Sequence, residues 1–87
     1  MFYIIVYDVD VSRVNKVHKF LRRYLYWVQN SVFEGELTSE EFTEICKGLE
    51  RIIDLNEDSI VIYSFKNESS VNKKIIGKEK MTYSNIL

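Results

Sequence analysis

The stretch Met1-Phe-Tyr-Ile-Ile-Val-Tyr-Asp-Val-Asp10 decides how the chain is read. Phe2 to Tyr7 form an unbroken apolar and aromatic run, too short for a good helix and rich in strand formers. Such a run reads as a strand covered on both faces, which belongs in the middle of a sheet. It stops at a carboxylate, Asp8, and a second follows at Asp10. A buried strand that ends on an acid places a charge at the rim of the core with its geometry fixed. The same acid also suits the cap of a turn or of the next helix, and the local sequence leaves both roles open.

Outward from this strand, Ser12 is the expected N-cap of a helix over about 13–26, whose Val14, Val17, Leu21, Tyr24 and Leu25 share one face. Arg13, Lys16, Lys19, Arg22 and Arg23 occupy its other positions with no acid among them. A one-sign face of this kind points to a polyanion such as nucleic acid. His18 borders the apolar face without a nearby His or Cys. Residues 26–37 are strand-like, with Trp27, Val28, Val32 and Phe33 as apolar members. Asn30-Ser31 offers a turn inside the stretch, and Gly35 is its single glycine, so it is either a tight hairpin or one bulged strand.

Thr38-Ser-Glu-Glu41 fits a capping box and opens a second helix, with Phe42, Ile45, Cys46, Leu49, Ile52 and Ile53 as its buried stripe. Ser59 to Phe65 is another apolar strand, Val71 to Ile76 a short strand candidate, and residues 78–87 a polar tail, disordered or ordered by a partner. The order is that of an α+β fold. With a hairpin at 26–37 it becomes a ferredoxin-like βαββαβ antiparallel sheet with two helices on one face, a domain spanning 1–77. The open face of that sheet would carry aromatic and aliphatic side chains, so two protomers are expected to stack as a homodimer.

Length and composition agree with one small domain of 87 residues that gains from oligomerisation. The net charge of −1 hides segregation: residues 34–58 are mostly acidic and the flanking parts basic. Cys46 stands alone, which removes a disulfide framework and a CxxC zinc site. No signal-peptide pattern or membrane-length apolar run is present, so a soluble cytoplasmic protein without a membrane partner is expected.

Three motifs, in order and at matching spacing, carry a resemblance. Tyr7-Asp8 closes the first strand, Val28-Gln-Asn-Ser-Val-Phe-Glu34 follows the first helix, and Asp58-Ser-Ile-Val-Ile-Tyr63 opens the late strand. Together they resemble the second core CRISPR-associated (Cas) protein family, the CRISPR-associated endoribonucleases, over residues 1–77. The resemblance implies a ferredoxin-like homodimer whose chain beyond the last long strand reaches the partner's sheet. It also implies a metal-dependent nuclease acting on single-stranded RNA or double-stranded DNA, with Asp8 at the family's acidic metal position. Spacer acquisition, with the CRISPR integrase and duplex DNA as partners, is implied as well. The chain departs from the family's pattern in its short Val9–Ser12 turn and in Tyr24-Leu-Tyr-Trp27, which stands where the family often has a glycine and basic residues nearby, so a basic catalytic helper is absent from that place.

For such chemistry Mg²⁺, or Mn²⁺ in its place, takes oxygen ligands and keeps several waters. Asp8 supplies one carboxylate per chain, and two copies near a dimer axis would share one ion. Asp10 is a candidate for supporting that site or for capping a turn. Ser31 is a candidate phosphate contact, and Phe33 a core aromatic or a base-stacking surface. No His is placed as a general base. Two other readings stand beside the nuclease: a non-catalytic dimeric scaffold between the integrase and duplex DNA, and a small regulatory or toxin-like domain. The latter lacks a glycine-rich phosphate loop and RNP-type aromatic motifs.

Overall fold

In the computed structural model of the chain, residues 1–78 are described. Strand β1 (Phe2–Asp8) leads to helix α1 (Val11–Leu21), the hairpin β2 (Tyr26–Gln29) and β3 (Val32–Glu36), helix α2 (Ser39–Ile52) and strand β4 (Ser59–Phe65). The sheet order is β2-β3-β1-β4, and every neighbouring pair is antiparallel. This is the ferredoxin-like arrangement, with the first strand central as its two-sided apolar run requires.

Alternation along β1 divides its side chains. Tyr3, Ile5 and Tyr7 enter the core with Val17 and Leu21 of α1, Phe33 of β3, and Ile45 and Leu49 of α2. Both helices therefore cover one face. Ile4, Val6 and Asp8 point to the other face, where their ladder neighbours are Tyr63, Val61 and Ser59 on β4. Val61 and Tyr63 are exposed there, while Ile4 and Val6 are half-buried. Among the described residues an apolar sheet surface is thus left largely open in one chain.

Residues 26–37 form a hairpin and also carry a bulge. Asn30-Ser31 is the turn, with Asn30 at φ 45°, a left-handed conformation that Asn tolerates better than most residues. The ladder register shifts between Trp27 and Gln29. Trp27 Nε1 donates to the Asn30 carbonyl at 2.9 Å and ties the bulged strand to its own turn.

Three expectations need correction. The N-cap of α1 is Asp10, whose carboxylate accepts from Ser12 N and Ser12 Oγ at 3.0 and 2.6 Å. An ionised acceptor two residues earlier serves the helix entry better than the Ser12 hydroxyl. Helix α1 also stops at Leu21 and does not run to Tyr26. Arg23 N and Tyr24 N donate to Phe20 and Leu21 carbonyls in a tight closing turn that still brings Leu25 into the core. The short C-terminal strand at Val71–Ile76 is absent. After a 3₁₀ turn (Glu68–Ser70) these residues follow no ladder, and Lys73 instead reaches Glu34 on the open face at 2.6 Å. A strand needs a free edge beside it, and within one chain this segment lies over a face. Apart from Lys78, the expected tail at 78–87 lies outside the described residues. The capping box of α2 is present as read, with Thr38 and Glu41 bonded reciprocally.

The two helices meet where Phe20 of α1 lies over Gly48 of α2, and a Cβ at Gly48 would collide with three atoms of that ring. Gly48 is accordingly retained in mid-helix, where it costs about 1 kcal/mol relative to Ala. Gly48→Ala is expected to lower stability by about 1–3 kcal/mol, because overpacking outweighs the propensity gain. Urea denaturation checks this; a variant more stable than the parent would show that the ring moves aside freely.

Candidate active site and nucleic-acid interface

Asp8 is the last residue of β1 and its side chain is exposed. On one side its ladder neighbour is Ser59. On the other lies the hairpin turn, since Tyr7 N donates to the Ser31 carbonyl at 3.1 Å. Among the described residues the Asp8 carboxylate has neither a hydrogen-bond nor an ion-pair partner. The chain thus delivers a free carboxylate to the end of the open apolar face. A shallow depression there is lined by Asp8, Val9, Asp10, Glu57 and Asp58.

Two of the other acids of this depression, Asp10 and Asp58, are committed elsewhere. Asp10 caps α1, and the Ser12 hydroxyl and amide hold its carboxyl below the usual carboxylate range. Asp58, whose side chain is fully covered, accepts from Arg13 Nε at 2.5 Å and Arg13 Nη2 at 3.1 Å. It also accepts from the backbone amides of Asp10 and Asp54, each at 2.9 Å. Those bonds, the Arg13 one foremost, hold the Asp58 carboxyl far below its ordinary value against the opposing effect of burial. Arg13 is correspondingly pushed above the usual guanidinium range by Asp58. Glu57 is exposed and reaches Arg13 only at 3.5 Å.

Among the described residues no group of three His, Cys, Asp or Glu side chains lies close enough to hold a metal ion. The exposed Asp8 carboxylate has the chemistry of a single oxygen ligand for a hard cation such as Mg²⁺.

The basic residues separate into two groups. Lys16, Lys19 and Arg22 are exposed along and just beyond α1. Arg23 is exposed too, with its guanidinium carbon over the rings of Phe20 and Tyr24 at 5.8 and 5.6 Å. Arg13 is drawn away into the Asp58 pair. Ser31 is half-buried at the hairpin turn near the Asp8 end of the sheet, where its carbonyl accepts from Tyr7 N. Phe33 is fully buried, so it serves the core and offers no stacking surface. His18 packs edge-on against Trp27 and Phe33, 5.4 and 5.1 Å between ring centres, with Tyr7 Oη 3.5 Å from Nδ1. Burial, assisted by the Arg22 charge, lowers its pKa. Cys46 is half-buried, and burial raises its thiol. Neither His18 nor Cys46 lies at the Asp8 depression.

Sequence reading missed the Arg13–Asp58 pair, which joins residues 45 positions apart. Asp58 opens the motif of the late strand and carries no local sign of its partner. The described residues contain no helix long and apolar enough to cross a membrane.

Comparison with known proteins places this geometry. A family model described as CRISPR associated protein Cas2 matches residues 1–73. A protein of Methanothermobacter thermautotrophicus named CRISPR-associated endoribonuclease Cas2 is 52% identical over 87 residues, covering 100% of this chain and 96% of the relative. A protein of Methanocaldococcus jannaschii with the same name is 54% identical, covering 100% of this chain and 76% of the relative. A solved structure titled "Crystal structure of cas2" superposes with a TM-score of 0.85 at 45% identity, covering 94% of this chain and 92% of that one.

The Asp58 network predicts a specific acid response. Because the folded pKa is depressed, the carboxylate's stabilisation is complete above the unfolded value near pH 4 and is lost as pH falls through the folded value. Asp58→Asn should therefore lower Tm at pH 7, and its gap to the parent should close as pH drops below about 4. Thermal scans from pH 7 to 2 check this; a gap independent of pH would show that charge on Asp58 contributes nothing.

Proposed function

The chain belongs to the CRISPR-associated Cas2 family, and from that premise we propose that it is a metal-dependent endonuclease, acting as a homodimer in spacer acquisition. Its substrate class is nucleic acid, single-stranded RNA or duplex DNA. The observation that carries this reading is the exposed Asp8 carboxylate at the end of an apolar sheet face that the described residues leave largely open. Relatives named as endoribonucleases support the reaction class.

Stacking two open faces would cover Val61, Tyr63, Ile4 and Val6, a gain set by the apolar area removed from water. With the dimer axis near the ends of the two β1 strands, the same stacking would bring the two copies of Asp8 together. Two carboxylates so placed repel one another, and that repulsion raises their joint affinity for a divalent cation. Asp8 would hold Mg²⁺ or Mn²⁺. When bound, the ion supplies charge neutralisation at the phosphate and a more acidic water. The chain's own residues do the rest. Lys16, Lys19, Arg22 and Arg23 draw the phosphate backbone to α1 without reading sequence. The Ser31 turn lies beside the end of β1, within the same end of the sheet.

A second reading has its own observation. The basic stripe on α1 is independent of Asp8, so the dimer would also serve as a scaffold that holds duplex DNA for the CRISPR integrase, without cleavage.

Asp8→Asn separates the two. It preserves shape and removes the charge that holds the ion. Cleavage of RNA or DNA in Mg²⁺ should fall by about two to three orders of magnitude, as expected when several kcal/mol of transition-state stabilisation are lost. Nucleic-acid affinity should hold or rise slightly, because a negative charge leaves the site. Nuclease and integration assays on the same preparations, with Mg²⁺ and with EDTA, check this. An Asp8→Asn protein that cuts as well as the parent would refute the catalytic assignment. Intact integration by that protein would favour the scaffold.

A further inference from the structure

The end of β1 is held by more than its ladder. Pairing with β4 stops at Asp8–Ser59, and Val9 and Asp10 leave the sheet. A strand end without further bonds opens readily. Here the next polar group along, Asp10 N–H, is caught by the Asp58 carboxylate, which directly precedes Ser59. The backbone is therefore held at Asp8 itself, by the Ser59 ladder pair, and two residues on, by the Asp10–Asp58 bond. Asp58 itself is aimed by Arg13, whose Nε and Nη2 engage both of its oxygens, and by the Asp54 amide.

Arg13 is not free to leave. Its side chain is 23% exposed, and Asp58's is 0% exposed. Turning Arg13 outward to a phosphate would strand a covered carboxylate without its cation, a costly state. The planar guanidinium fork matches both carboxylate oxygens at once, which a lysine ammonium cannot do.

We propose that Arg13 and Asp58 are positioning residues that set the direction of the Asp8 carboxylate, and that Arg13 contributes no phosphate contact although it belongs by sequence to the basic group of α1. The inference rests on the reading of Asp8 as the ion-holding carboxylate of the nuclease.

The test compares the parent with Arg13→Lys, Arg13→Gln and Lys19→Gln. Three readouts are taken: the salt dependence of duplex DNA binding, kcat and KM for cleavage, and Mn²⁺ affinity by electron paramagnetic resonance. Lys19→Gln should reduce the log–log salt slope by about 0.9, as loss of one duplex phosphate contact does. Arg13→Gln should leave slope and affinity at parental values, while kcat falls by up to about a hundredfold at unchanged KM, the effect of a small displacement of a reacting group. Arg13→Lys should fail to rescue kcat, because charge without the fork does not aim Asp58. It also keeps a cation beside Asp58, so it guards against misfolding of the Gln variant. A lost slope increment in Arg13→Gln, or full rescue by Lys, would overturn the inference in favour of a phosphate contact. Should the parent cut nothing, the nuclease reading fails by itself and Mn²⁺ affinity decides. A drop of about tenfold or more in both Arg13 variants then upholds the positioning role of Arg13 and Asp58. Unchanged affinity, or no Mn²⁺ binding by the parent, overturns it.

Discussion

Strand β1 is hydrogen-bonded along both edges, to β3 and to β4, and the other elements take their places from it. Its inner side chains Tyr3, Ile5 and Tyr7 define the surface on which both helices lie. Its outer side chains Ile4 and Val6 make the centre of the surface that remains open. Because it is central, its C-terminal residue has a direction that no loop residue would have, and that residue is Asp8. Position in the fold and candidate chemistry therefore follow from one apolar run that stops at an acid.

Much of this was legible because the signals are local. The two-sided run of β1, the 3.6-residue stripe of α2 and the Thr38–Glu41 box each act over a few residues, and each appears where the sequence puts it. The region 26–37 posed a choice between hairpin and bulge, and the structure contains both, because Trp27 adjusts the register while Asn30 makes the turn. Boundaries were harder. Asp10 and Ser12 are both good caps two residues apart, and only the observed bonds show that the carboxylate accepts while the serine donates.

What the sequence could not convey depends on long-range partners. Arg13 reads as one cation among five, yet Asp58, far along the chain, removes it from that set. The segment at 71–76 has strand composition, yet composition cannot supply a neighbouring edge; Lys73 finds buried Glu34 instead. For the candidate site, sequence gave the correct place of Asp8 at the rim. It did not distinguish Asp10 as a helix cap from Asp10 as a supporting ligand, since both roles want a carboxylate in the same turn. Ser31 comes near the right end of the sheet for a reason that is structural, the antiparallel return of β3 beside β1.

The central proposal is that Asp8, one carboxylate from each chain at the end of the open face, is half of a shared site completed when two such faces stack. Counting bound Mn²⁺ against protein, on material whose mass in solution is determined by sedimentation, tests this most directly. The account predicts a dimer at micromolar concentration that binds one ion for every two chains, and a dimer of Asp8→Asn that binds none. A well-folded monomer, or one ion for each chain, would contradict it.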